Sequence, residues 1–353
     1  MIGFTYQALP MRVRFARGAL AEIPAELDHL GLNRVLVLST PEQQELAQRV
    51  AADLGERAVG TFPRARMHVP VELAERAGEE AKRLGADGCL AIGGGSTIGL
   101  GKAIALLLGL PIIAVPTTYA GSEMTPIWGL TEGGNKRTGR DPKVLPASVV
   151  YDPDLTATLP AGLAVTSAVN AMAHAVEALY APDSSPIISL MAEEGARALS
   201  EAIPGVLAGG GTGDPRAAAM YGAWLCGACL GATTMSLHHK LCHSLGGTLD
   251  LPHAQTHTVV LPHVLAYNET HAPAARAALS RAWSTTGSPA ARLWDLIQDW
   301  GAPVSLRELG MRRDDIDQIV SRTLAEPYAN PRPLIAGALT ELLSRAWAGE
   351  RPV

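Results

Sequence analysis

Residues 88–123 read GCLAIGGGSTIGLGKAIALLLGLPIIAVPTTYAGSE, and this stretch decides the fold. A short apolar run, GCLAIG (88–93), leads into a glycine triplet and then a segment of helix formers from about 97 to 108. A second apolar run, PIIAVP (111–116), follows and opens into hydroxyl-bearing residues. Strands apolar on both faces and joined by a helix predict a parallel sheet covered on both sides. Gly93-Gly94-Gly95-Ser96 sits where strand passes into helix. Glycines there let the backbone approach a pyrophosphate, and the N–H groups of a helix start favour its negative charge. The G-x-G-x-x-G fingerprint is incomplete, because Ile98 holds its third glycine position. The hydroxyls of Thr117, Thr118 and Ser122, after the second strand, suit a ribose and diphosphate lying across the strand ends. Taken alone, each segment is also compatible with a structural turn.

Working outward, the same periodicity continues on both sides. RVLVLS (34–39), RAVGTF (57–62) and SVVYDP (148–153) read as strands, while 41–55 and 71–85 read as amphipathic helices. After about residue 156 the texture becomes Ala- and Leu-rich, as in VTSAVNAMAHAVEALYA (165–181) and SLMAEEGARALSEAIPGVLAG (189–209). The expectation is a Rossmann-like α/β domain over 1–155 and an all-α domain over 156–353. GGGTGDP (209–215) reads as a surface turn between helices.

The 353 residues carry 29 Lys and Arg against 34 Asp and Glu, a net charge of -5 that argues against general binding to nucleic acid or anionic membrane. The first 18 residues lack a continuous apolar core, and no stretch offers about 18 uninterrupted apolar residues. A cytoplasmic location is expected. The four cysteines, Cys89, Cys226, Cys229 and Cys242, are too few for a disulfide framework. Cys226 and Cys229 form a C-x-x-C that fits redox or metal chemistry, or small thiols packed in a buried helix; the packing reading is adopted.

Histidine spacing supplies the remaining signal. Asn170 and His174 lie four apart, as do His239 and His243, and His253 follows in LPHAQTH. Residues four apart share a helix face, so these groups are able to converge on one pocket. Such a pocket holds zinc or iron, or supplies proton donors and anion partners. Lys136, Arg137, Arg140 and Lys240 are candidate cations for an acidic substrate, and Tyr328 either lines the pocket or fixes a turn.

These residues resemble the group III, iron-containing type alcohol dehydrogenases over nearly the whole chain. The likeness rests on GGGS (93–96), PTT-x-x-x-SE (116–123) and Asp152-Pro153. It implies a dehydroquinate synthase-like architecture with a dinucleotide-binding α/β domain and a helical catalytic domain. In metal-dependent members one Asp and three His hold the ion, at positions matching Asn170, His174, His239 and His253, with His243 as an additional histidine. Asn170 replaces the carboxylate here, and Gly99 replaces an Asp common in those relatives. Both changes, with TYAGSEMTPIWGLTEGG-x-KRTGRDP (118–142), LHHKLCHSLGGT (237–248), LPHAQTHTVVLPH (251–263) and PYANPRPL (327–334), resemble the maleylacetate reductase branch.

The resemblance implies NADH-dependent reduction of a small dicarboxylate, maleylacetate, without bound metal, by a homodimer. The alternative on the same fold is an alcohol dehydrogenase or aldehyde reductase that keeps iron or zinc. The resemblance to the maleylacetate reductases assigns catalysis to His243, His239, His253, His174 and Lys240, and substrate contacts to Asn170, Tyr119 and Arg137. Cofactor contacts fall to Ser39, Gly94, Gly95, Ser96, Thr117, Thr118, Ser122 and Lys136. Ser39 takes the place beside the adenine ribose, and with no acidic side chain there NADPH is admitted beside NADH.

Overall fold

The computed structural model describes residues 4, 6, 8, 9, 11–133, 135–209, 214–325 and 328–353, without the side chains of Asn135 and Lys136. The chain divides into two compact units, Ala8–Leu159 and, with Met1–Gln7, Pro160–Val353.

In the first unit the strands are β1 (Arg12–Phe15), β2 (Val35–Leu38), β3 (Ala58–Phe62), β4 (Gly88–Gly93), β5 (Ile112–Pro116), β6 (Ile127–Glu132), β7 (Asn135–Arg140) and β8 (Ser148–Tyr151). Six of them form one parallel sheet in the order β1-β8-β5-β4-β2-β3. Alternate residues serve opposite faces. Leu36, Leu38, Cys89, Ala91 and Ile112 enter one core, while Val35, Val37, Leu90, Ile92 and Val115 enter the other. That period of two, with both sides apolar, is what a doubly covered parallel sheet requires. The helices are α1 (Ile23–Leu30), α2 (Gln44–Leu54), α3 (Val71–Leu84) and α4 (Gly95–Leu108).

The order of strands places the site. From β2 the chain passes through α2 to β3 on one side, and from the adjacent β4 it passes through α4 to β5 on the other. Neighbouring strands whose connections leave in opposite directions open a crevice at their carboxyl ends, where ligands of such sheets bind. Ser39 directly follows β2, and the glycine triplet begins on the last residue of β4. Sequence patterning did not show β1 or the antiparallel hairpin β6–β7, which pairs Ile127 with Arg140 through Glu132 with Asn135. β1 is only four residues, RVRF, β6 does not alternate and β7, NKRTGR, offers no apolar face, so period alone does not announce them.

The second unit is helical: α5 (Ala161–Ala178), α6 (Pro186–Leu207), α7 (Pro215–Ala232), α8 (Leu237–Leu249), α9 (His253–Asn268), α10 (Pro273–Ala282), α11 (Pro289–Asp299), α12 (Ile316–Leu324) and α13 (Ala336–Ala348). Its α5 is buried from Ala164 to Ala178 on every face, which the run of Ala permits by letting neighbours approach closely. A core of Leu237, Leu241, Val260, Val264, Ile319 and Leu343 joins α8, α9, α12 and α13. Gly195 and Gly222 bring α6 and α7 together: a Cβ on either would come within 3.2 Å of the other's carbonyl oxygen. All four cysteines are free and buried. Cys226 Sγ fills the space over Gly195, and Cys229 Sγ lies 3.7 Å from the Ile188 carbonyl. Burial raises both thiols far above their ordinary range, Cys229 to about 12. The C-x-x-C is therefore helix packing. Of GGGTGDP, residues 210–213 lie outside the described residues; Asp214 caps α7 by accepting the Ala217 N–H. Among the described residues, no helix is long and apolar enough to cross a membrane.

Candidate active site

In the first unit, α4 begins directly on the glycine triplet. Gly94 is its N-cap and supplies no side-chain cap; its carbonyl takes the Thr97 N–H, and the N–H groups of Gly95 and Ser96 at the helix start are the ones open to an anion. Gly93 has φ +156°, and a Cβ there would lie 2.3 Å from Thr97 Oγ1 and 2.8 Å from Gln43 Oε1. A Cβ on Gly94 would meet Thr118 Cγ2 at 3.0 Å, whereas one on exposed Gly95 meets nothing within 4 Å. The open side of the loop is thus over Gly95 and Ser96, with Thr118 beside it. Gln43 Nε2 donates to Thr117 Oγ1 at 2.6 Å, and the Thr117 N–H donates to the Gly93 carbonyl, which ties α2, β4 and β5 together around the loop.

Ser39 is fully buried with its hydroxyl unpartnered, and its carbonyl accepts the Ala65 N–H. It forms the floor of the β2 end. Tyr119 is also fully buried, its hydroxyl 3.4 Å from Thr156 Oγ1. That placement packs Tyr119 within the first unit. Arg137 is exposed on β7 and pairs with Glu132 at 3.6 Å; Arg140 is exposed on the same strand. The Lys136 side chain lies outside the described residues. Gly99 is explained by packing: a Cβ there would lie 2.9 Å from Val69 Cγ2, so Val69 occupies the space an Asp would need.

Lys102, two turns into α4, was not anticipated. Its Nζ donates to the Ser122 carbonyl at 2.6 Å, Thr125 Oγ1 at 2.8 Å and the Ile127 carbonyl at 2.8 Å. One buried ammonium therefore staples the glycine-loop helix to the segment that carries Ser122. Desolvation pulls it down to about 7, against the opposing pull of buried Glu123. The legible signal was a single Lys inside an apolar helix.

The histidines gather in the second unit. His174 on α5 stacks on His239 of α8 with ring centroids 5.3 Å apart. His239 meets His243 one turn on at 6.4 Å and His257 of α9 at 5.2 Å, and His257 lies 4.3 Å from His253. The four predicted histidines do share a site, joined by His238 and His257, which the sequence reading passed over. His257 was legible as the residue one turn after His253. Burial first, and neighbouring imidazoles second, hold His174, His238 and His257 well below the ordinary histidine range, so these rings are neutral at pH 7. His243 is exposed, and His253 is half-buried.

Glu177 organises this cluster. It lies on α5 one turn after His174, is fully buried, and accepts from the backbone of Ser236 at 2.8 Å and His238 at 2.7 Å and from His239 Nδ1 at 2.7 Å. The carboxylate caps α8, which has no side-chain cap of its own, and fixes the His239 ring with its proton on Nδ1. Nε2 of His239 is left buried and unpartnered, as are Asn170 Oδ1 and His174 Nδ1. Orphaned buried polar atoms in one cluster mark a space meant for a ligand or ordered water. Lys240 is half-buried with Nζ 5.8 Å from the Tyr328 ring, and the loop that carries Tyr328 is tied to α8 through Ser236 Oγ, 2.6 Å from the Ala329 carbonyl.

The family's iron requires a test against these donors. Asn170 offers a neutral amide oxygen, His174 is a neutral ring, and Glu177 is committed to His239 and the α8 backbone. An ion there would keep its full charge in a buried place. The donor set does not fit a carboxylate-plus-three-histidine centre.

Comparison with known proteins agrees with this geometry. Residues 10–153 match the iron-containing alcohol dehydrogenase family model, and residues 164–347 match the C-terminal model of the Fe-containing alcohol dehydrogenase family. The maleylacetate reductase of Burkholderia cepacia is 55% identical over 352 residues, covering 100% of both chains. That of Sphingobium indicum is 54% identical over 350 residues, covering 99% of both. The crystal structure of maleylacetate reductase from Agrobacterium tumefaciens superposes with a TM-score of 0.96 at 51% identity, covering 100% of both chains. The chain belongs to the iron-containing alcohol dehydrogenase family and groups within it with the maleylacetate reductases.

Proposed function

We propose that this oxidoreductase reduces maleylacetate to 3-oxoadipate with NADH, NADPH being admitted, and that it does so without a metal. The observation that carries the reading is the histidine cluster around Asn170, where the family's carboxylate ligand is absent and unpartnered donors and acceptors remain. The first unit would hold the dinucleotide, with Gly94, Gly95 and Ser96 taking its diphosphate and Thr118 a ribose. The nicotinamide, when bound, supplies a hydride. Maleylacetate conjugates its ketone with a C=C bond, so addition at the alkene carbon remote from the ketone develops negative charge on the ketone oxygen. Conjugation spreads that charge, and imidazole donors suffice to hold it. His174 and His253 hold the enolate through ring N–H donors, while His239, whose Nδ1 proton is committed to Glu177, presents Nε2 to the cluster as an acceptor. His243, exposed to solvent and able to recover its proton from water, donates to the enolate carbon. One hydride and one proton saturate the double bond and leave the ketone intact. Lys240, Arg137 and Asn170 serve the substrate carboxylates. A cytoplasmic homodimer belongs to the same reading.

Product analysis tests it. With 4-deuterated NADH, deuterium is expected at the former alkene carbon next to the carboxylate, and the ketone is retained. Deuterium on a carbinol carbon would show carbonyl reduction instead and favour the alcohol dehydrogenase reading.

The cofactor loop gives a separate expectation. Gly93→Ala drives a Cβ against Thr97 and Gln43, which costs about 1–3 kcal/mol in overpacking and tilts the α4 start. NADH affinity, followed by fluorescence titration, is expected to fall about tenfold or more, equivalent to roughly 1.4 kcal/mol. Unchanged affinity would remove the loop from the cofactor site.

A further inference from the structure

His238, Cys242 and His257 lie outside the ligand set that the family resemblance implies, yet they form a compact group of their own. All three are buried, and their ligand atoms lie within 4.8 Å of one another. His238 and Cys242 are one turn apart on α8, and His257 reaches them from α9. His238 Nε2 is 2.9 Å from His257 Nδ1 and 3.7 Å from Cys242 Sγ. Around zinc, with Zn–N about 2.0–2.1 Å and Zn–S about 2.3 Å, tetrahedral ligands stand about 3.3–3.6 Å apart. Cys242 Sγ already stands near that spacing from His238 Nε2, and the two imidazoles need to part by only about 0.4 Å.

Charge distinguishes this group from the Asn170 cluster. A thiolate brings one negative charge to the ion, which an amide oxygen does not, and sulfur with imidazole is the donor set that soft cations choose over oxygen. The two helices carrying the ligands pack against each other through the common core of Leu241, Leu245 and Val260. The donors are therefore held by rigid elements.

We propose that His238, Cys242 and His257 form a thiolate-containing site for zinc whose ligands are distinct from the catalytic histidines, which it adjoins at His239 and His253. Zinc replaces the hydrogen bond between the imidazoles: it takes His238 Nε2 and His257 Nδ1, and the proton they share moves to the outer nitrogen of its ring. The Cys242 thiol proton is released to solvent, and a water or small anion completes four ligands. The site does not depend on the reaction proposed above.

Cobalt(II) titration of the full-length, reduced, metal-stripped protein tests the proposal. The expected result is a thiolate-to-cobalt charge-transfer band that saturates at one equivalent and is abolished by competing zinc. Cys242→Ser removes the band, and His257→Gln on the other helix weakens cobalt binding more than about 100-fold, beyond the loss typical of an outer partner. Cys226→Ser with Cys229→Ser leaves the band in place, as does His174→Ala. No band at one equivalent, or a band that survives Cys242→Ser, overturns the site. Metal bound without a thiolate band and lost in His174→Ala would place the ion in the Asn170 cluster and count against the metal-free reading of catalysis instead.

Discussion

A His243→Ala variant is expected to lose about 10²- to 10⁴-fold in kcat on maleylacetate, the range for removing a positioned proton donor. The loss should appear equally in kcat and kcat/KM, because the proton is delivered only in the transition state. Its NADH affinity should be unchanged, since the dinucleotide loop lies in the other unit. His243 is the informative position because it is exposed. Substitution of an exposed side chain opens no core cavity, so folding stability should change by less than about 1 kcal/mol. His239 would be a poorer probe, since it is buried and tied to Glu177. Steady-state kinetics beside a melting curve decide the matter. A His243→Ala enzyme with near-normal kcat would exclude it as the donor.

Glu177→Ala should be the most destabilising single change in the helical unit's site. It strands the backbone N–H groups of Ser236 and His238 and the Nδ1 of His239, all buried, and removes the negative charge at the start of α8. Breaking such a buried ionic contact costs roughly 3–5 kcal/mol. Glu177→Gln separates positioning from packing. It keeps the volume and one acceptor oxygen but puts an amide donor against another donor. Stability should fall less than in the alanine variant, while kcat falls with KM little changed because His239 loses its orientation. A Gln variant with wild-type kcat would confine Glu177 to holding the fold together.

Much of this was legible beforehand, for physical reasons tied to particular residues. β2, β4 and β5 are continuous apolar runs bounded by Gly and Pro, and α2 and α3 are amphipathic, so both announce themselves by period. GGGS was interpretable because it lies between a strand and a helix. The strand order, and hence the crevice between β2 and β4, was not legible, because nothing local to β3 says on which side of β2 it pairs. Ser39 was placed correctly at a strand end, but its complete burial depends on the loop after β3, whose Ala65 closes over its carbonyl. The burial of Tyr119 was not legible either: a Tyr between Thr118 and Ala120 carries no mark of which way its ring turns. Glu177 and His238 were missed because a carboxylate on a helix or a doubled histidine usually faces water; only the docking of α8 on α5 buries them.

The central claim is reduction by an imidazole cluster without a metal. Its most direct test is NADH oxidation at 340 nm with freshly prepared maleylacetate, on protein stripped of metal and checked for residual zinc and iron. The account predicts full turnover in the stripped protein, with no gain on adding either ion. Turnover absent until zinc or iron is restored would contradict it and return the chain to metal-dependent carbonyl chemistry.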